Sequence, residues 1–138
     1  MDRNAEILRH VSLSDLGIEI GPWHSPLAPK ARGYNCLSMD VFDTDTLRAR
    51  AAADPLVPDD VARRIEHVDL VGGAGSLRTL AEDRCIAGHV SYIISSHNIE
   101  HIPDPITFLQ DCGTVLKPGG YLSMAIPDRR ACFDFFIE

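Results

Sequence analysis

The stretch from Val90 to Ile126 constrains this chain most, because it spells strand, helix and strand in direct succession. The apolar run Val90-Ser91-Tyr92-Ile93-Ile94 passes into the polar segment Ser95-Ser96-His97-Asn98-Ile99-Glu100-His101-Ile102-Pro103. Asp104-Pro105 then opens a helix, with Asp as the cap and Pro at the first helical position, and Ile106, Leu109, Val115 and Leu116 supply its apolar contacts. Lys117-Pro118-Gly119-Gly120 predicts a turn, since Pro presets φ and Gly accepts φ > 0, and a strand follows over Tyr121 to Ile126. Two strands joined through a helix pair in parallel with a right-handed crossover. This is half of an α/β nucleotide-binding sheet, in which ligands sit outside the carboxyl ends of the strands. His97, Glu100 and His101 are therefore expected at or beside a ligand crevice.

The rest of the chain repeats the alternation. Asn4 to His10 suits a short amphipathic helix, and Gly17 to Ile20 a short strand ending at the break Gly21-Pro22. Asn35 to Met39 forms the second strand, Asp43 caps a helix over Thr44 to Ala53, and Pro55 and Pro58 place a loop over Ala52 to Asp60. A third strand is expected near Ile65 to Val68, then a turn at Gly72-Gly73-Ala74-Gly75 and a helix within Ser76 to Ala87. The predicted fold is a single α/β domain, a Rossmann-like doubly wound sheet of about five strands, mostly parallel.

Composition narrows the function classes. The 138 residues are 45% hydrophobic and 24% charged, as expected of one soluble domain. A formal net charge of -7, with basic residues scattered apart from Arg63-Arg64 and Arg129-Arg130, argues against a nucleic-acid binder. Cys36, Cys85, Cys112 and Cys132 are widely spaced without a C-x-x-C, which suggests reduced, buried thiols rather than a zinc site or a disulfide framework. Neither a signal peptide nor a membrane-spanning run is visible, so a cytoplasmic location is expected.

Four ordered segments together resemble the class I S-adenosylmethionine-dependent methyltransferases, in particular their small-molecule, type 11-like branch. They are Leu16-Gly17-Ile18-Glu19-Ile20-Gly21-Pro22, Cys36-Leu37-Ser38-Met39-Asp40, Ser96-His97-x-x-Glu100-His101-x-Pro103-Asp104-Pro105, and Val115-Leu116-Lys117-Pro118-Gly119-Gly120. The resemblance covers roughly Leu16 to Asp128 and implies S-adenosyl-L-methionine as cofactor and methyl transfer to a small-molecule acceptor. It assigns Glu19 to the amino group of the methionine moiety and Gly21-Pro22 to the cofactor loop. Asp69, expected to end the third strand, falls near adenine. Asp40, 19 positions after Gly21, stands where related sheets place a carboxylate for the ribose hydroxyls. Ser95 and Ser96 offer backbone or hydroxyl contacts to the cofactor, and His97 is the candidate general base for an acceptor hydroxyl. The acceptor is expected near His97 and Asp128-Arg129-Arg130.

Each residue has a plainer reading. Gly21-Pro22 also serves as a strand-ending turn, Asp69 as a solvated loop residue, and His101 as a locally packed side chain. Trp23 stands where the family pattern has its second glycine, which predicts a negative φ there and a ring turned away from the cofactor. His97 to His101 also spells H-x-x-E-H, the inverted zinc-protease pattern, but Pro103 and Pro105 deny it a sustained helix, so no metal is expected. A nicotinamide-binding domain would share Asp40, yet G-x-G-x-x-G is missing.

The family's sheet has seven strands, and this chain ends just after the fifth. A truncated, catalytically weak cofactor-binding or partner-dependent module is therefore the alternative reading. Self-association is expected through the fifth-strand edge and Phe133, Phe135, Phe136 and Ile137.

Overall fold

A computed structural model of the chain describes residues 2–128 and Arg130; the C-terminal aromatics and Arg129 invoked above lie outside the described residues. Five parallel strands form one sheet in the order β3-β2-β1-β4-β5, with β1 at Gly17–Ile20, β2 at Cys36–Asp40, β3 at Leu70–Val71, β4 at Val90–Ser96 and β5 at Leu116–Ala125. That is the expected doubly wound arrangement. The strand order reverses between β1 and β4, so the crevice at their carboxyl ends is the topological switch point.

The helices are α1 (Arg3–Ile7), α2 (Thr44–Ala53), α3 (Asp59–Arg63), α4 (Leu77–Asp83) and α5 (Pro105–Val115). Asp43 and Asp104 cap α2 and α5 as predicted, accepting the Thr46 and Thr107 amides at 2.8 and 3.0 Å. Helices α4 and α5 cover one face of the sheet, where Leu77, Ala81, Phe108, Cys112 and Val115 pack on Ile18, Ile20, Met39 and Ile93. On the opposite face Ile7 of α1 packs with Ala28, Cys36, Tyr92 and Ile94. Burying both faces explains why β4 is apolar along most of its length instead of alternating.

Several features depart from the sequence expectation: α1 stops at Ile7 instead of reaching His10, and α3 begins at Asp59 inside the stretch expected to be a loop. The third strand begins at Leu70, not Ile65, because Ile65 and Val68 are drawn into a separate cluster with Leu47, Ala51 and Ala62 of α2 and α3. The turn Lys117–Gly120 does not precede β5 but interrupts it. Leu116 already pairs with Val90 and Tyr121 resumes opposite Tyr92, with Gly119 at φ 77°. A side chain at Gly120 would be crowded, since a Cβ would stand 3.0 Å from the Lys117 carbonyl oxygen and 3.1 Å from that of Ser91. Finally, Cys85 is exposed while Cys36 and Cys112 are buried, so the expectation of buried thiols fails at that position. Burial pushes the Cys36 and Cys112 thiols up to about 12.

Candidate functional site

The strand register assembles the candidate site. Ile20 lies opposite Met39 on one side and Ser95 on the other, Asp40 opposite Val71, and Ser96 opposite Ala125. One residue beyond Ile20, the Gly21 amide donates to the Met39 carbonyl at 2.8 Å. A row Val71, Asp40, Gly21, Ser96 and Ala125 thus crosses the carboxyl edge of the sheet. Gly21, Asp40, Ser95, Ser96 and His97 are brought together there.

Gly21 has φ 64°, and a Cβ built on it would meet nothing within 4 Å. The backbone therefore faces open space, and glycine is required by conformation rather than by crowding. Pro22 follows directly and starts the loop. Trp23 takes φ 50°, against the expected negative value, and its ring packs beside the α2–α3 cluster. Burial in that cluster offsets the cost of the left-handed backbone.

The connection from β1 to β2 carries no α-helix, only a loop and one 3-10 turn at Lys30–Arg32. Two carboxylates hold it. Glu19, 4% exposed, accepts the Leu27 amide at 2.8 Å and the Ala28 amide at 3.0 Å, one on each oxygen. Glu66 accepts the Lys30 and Ala31 amides, each at 3.0 Å. In this fold Glu19 organises the loop that follows β1. Its burial raises its pKa above the ordinary carboxylate range, against the lowering effect of the two amides.

Asp40 closes β2, 9% exposed, with the Phe42 amide donating to it at 3.2 Å; burial raises its pKa also. Asp69 must be corrected. It does not end the third strand but precedes it, accepting the Ser38 amide at 2.8 Å and pairing with Lys30 at 2.7 Å. It ties β2 to β3 two positions short of the edge, where β3 ends at Val71 and Gly72-Gly73 follow. The strand misplacement caused this error. At Gly72 the close approach is internal, since a Cβ would stand 2.9 Å from Leu80 and 3.2 Å from Ser76.

Beyond β4, Ser95 is buried and its hydroxyl receives the Asn98 amide group at 3.1 Å, whereas Ser96 is half-buried. His97 has φ 51°, and its amide donates to the Ala125 carbonyl at 2.9 Å. Its ring lies between two charges, with Nδ1 3.7 Å from Glu100 Oε1 and Nε2 3.1 Å from the Arg3 guanidinium. Glu100 and His101 sit on a single 3-10 turn, Ile99–His101, and not on the α-helix that a zinc-binding H-x-x-E-H needs. Among the described residues no three His, Cys, Asp or Glu side chains cluster to hold a metal. Sequence reasoning missed Arg3, which reaches His97 across 94 positions. In the Asp128-Arg129-Arg130 segment, near which the acceptor was expected, the Arg130 guanidinium pairs with Asp128 at 2.5 Å.

Comparison with known proteins agrees with this fold. The methyltransferase domain family matches residues 4–132. A ubiquinone biosynthesis O-methyltransferase of Parvibaculum lavamentivorans is 40% identical over 52 residues, which is 37% of this chain and 21% of that protein. A SAM-dependent methyltransferase from Aquifex aeolicus shares the fold with a TM-score of 0.56 at 14% identity, over 88% of this chain and 62% of that one. A glycopeptide N-methyltransferase complexed with sinefungin aligns with a TM-score of 0.52 at 19% identity, over 96% and 58%. The match thus spans about a fifth of the curated relative and under two thirds of each of these solved chains. By its strand order, its carboxyl-edge row and the family match over nearly its whole length, the chain belongs to the methyltransferase domain family.

Proposed function

We propose that the chain binds S-adenosyl-L-methionine at the carboxyl edge of its sheet and transfers the methyl group to a small-molecule acceptor. The observation that carries this reading is the pairing of the Asp40 carboxylate with the open backbone at Gly21 on neighbouring strand ends. A carboxylate so placed accepts both protons of a ribose diol, and a glycine with empty space over its α-carbon admits a ligand chain against the backbone. These residues fit the cofactor. The names of the relatives and fold neighbours support the same class of reaction.

Bound S-adenosylmethionine supplies a methyl group on a positively charged sulfur, which leaves as a neutral thioether. The protein's share is mostly positioning, because holding two reactants in line removes much of the barrier. His97 Nε2 stands at the end of β4 to take the proton of an acceptor hydroxyl, and Ser95 and Ser96 line the cofactor side. No helix among the described residues is long and apolar enough to cross a membrane, and a cytoplasmic enzyme is our reading. Self-association through the β5 edge belongs to the same proposal, since nothing in the described sheet pairs beyond it.

Calorimetric titration with S-adenosylmethionine is the test. Asp40→Ala should weaken binding by about 1–3 kcal/mol, roughly 5- to 150-fold, as for loss of a charged hydrogen-bond partner. Unchanged affinity in a folded variant refutes the ribose assignment. Binding without transfer of a labelled methyl group to any acceptor favours the alternative, a cofactor-binding module that needs a partner.

A further inference from the structure

A cavity of about 450 Å³ lies between α1 and the carboxyl end of β5, bounded by Arg3, Glu6, Ile7, Met124, Ala125 and Ile126. It adjoins His97, whose amide is bonded to Ala125. We propose that this cavity takes the methyl acceptor as a small carboxylate-bearing molecule with an apolar body, anchored by Arg3. The proposal rests on the methyltransferase reading above.

Ile7, Met124, Ala125 and Ile126 provide the apolar wall, and the volume suits a single small ligand. Charge selects its polar end. Glu6 pairs with Arg9 at 3.5 Å, whereas the partner of Arg3 is an imidazole nitrogen. A guanidinium only donates, so Nε2 of His97 presents its lone pair to Arg3 and the ring proton sits on Nδ1, facing Glu100.

A neutral imidazole is a weaker partner for a guanidinium than a carboxylate, whose charge-assisted bonds are shorter and stronger. An arriving carboxylate therefore draws Arg3 from His97 and frees the Nε2 lone pair beside the bound acceptor. Recognition of the acceptor and release of the base become one event. A neutral molecule of the same shape leaves Arg3 on His97 and the base occupied.

The experiment titrates 4-hydroxybenzoate, with 4-hydroxybenzamide as its neutral counterpart, into the full chain saturated with S-adenosylhomocysteine. Calorimetry reads affinity, and nitrogen-detected NMR reads the His97 ring. The acid should bind about tenfold more tightly than the amide, the lower range for a charged hydrogen bond. Arg3→Gln should erase that difference, Arg3→Lys should keep part of it, and the His97 Nε2 resonance should move on addition of the acid alone. Equal binding of acid and amide, or an Arg3→Gln variant that keeps the preference, or a His97 ring that does not respond, overturns the proposal. Titration of S-adenosylhomocysteine by itself keeps the two readings apart: its failure to bind sinks the methyltransferase reading, while the preference for the acid is measured again without it.

Discussion

Removing the Glu19 carboxylate tests whether the loop after β1 is held as the structure indicates. In Glu19→Ala the amides of Leu27 and Ala28 lose their acceptors, at 2.8 and 3.0 Å, and Ala28 is 2% exposed, so water does not readily replace them. Two hydrogen bonds to a charged group contribute roughly 3–6 kcal/mol, and relief from burying the carboxylate offsets part of this, leaving a net loss of about 2–4 kcal/mol. For a chain of this length that corresponds to a fall in Tm of roughly 6–15 °C, read by circular dichroism or calorimetry. Glu19→Gln keeps one good acceptor and should lose about half as much. The pH dependence has a definite sign. Because the folded pKa is raised above the unfolded value, the native state holds the proton more tightly. The Glu19 contribution is therefore fully present below the ordinary carboxylate range and diminishes as pH rises through the folded pKa. The gap between wild type and Glu19→Ala should widen as pH falls toward that range. A folded Glu19→Ala variant melting within about 2 °C of wild type at neutral pH would refute the clamp.

Gly17→Ala should be destabilising by about 1–3 kcal/mol or more, because its Cβ would stand 2.0–2.6 Å from three atoms of the fully buried Tyr92 ring; Gly17→Ala combined with Tyr92→Leu should recover much of the loss, and chemical denaturation measures both. Asp104→Ala should lower Tm at neutral pH through loss of the α5 cap. Its folded pKa is lowered by the Thr107 amide, so the contribution is present above the ordinary Asp range and fades as pH falls through the folded value; a deficit unchanged in acid would contradict the cap.

How much of this was legible beforehand depended on how local the cause was. The Asp104-Pro105 helix start, the Asp43 cap, the Gly17–Ile20 strand and the order of alternating elements rest on neighbouring residues, and the sequence by itself determined them. Asp40 at a strand end was legible for the same reason. The third strand was not, because Ile65 and Val68 have strand-like chemistry and their destination depended on α2 and α3 folding over them. That single displacement moved Asp69 from the crevice to a tie between β2 and β3. The carboxylates that clamp the β1–β2 loop and the approach of Arg3 to His97 are contacts between residues 8 to 94 positions apart. No periodicity encodes them. The sequence determined which residues stand at the ends of most strands, but only the tertiary structure decided which carboxylates face the crevice and which are occupied by backbone amides. Hydrogen-bond partners and burial are fixed only when distant segments pack against one another.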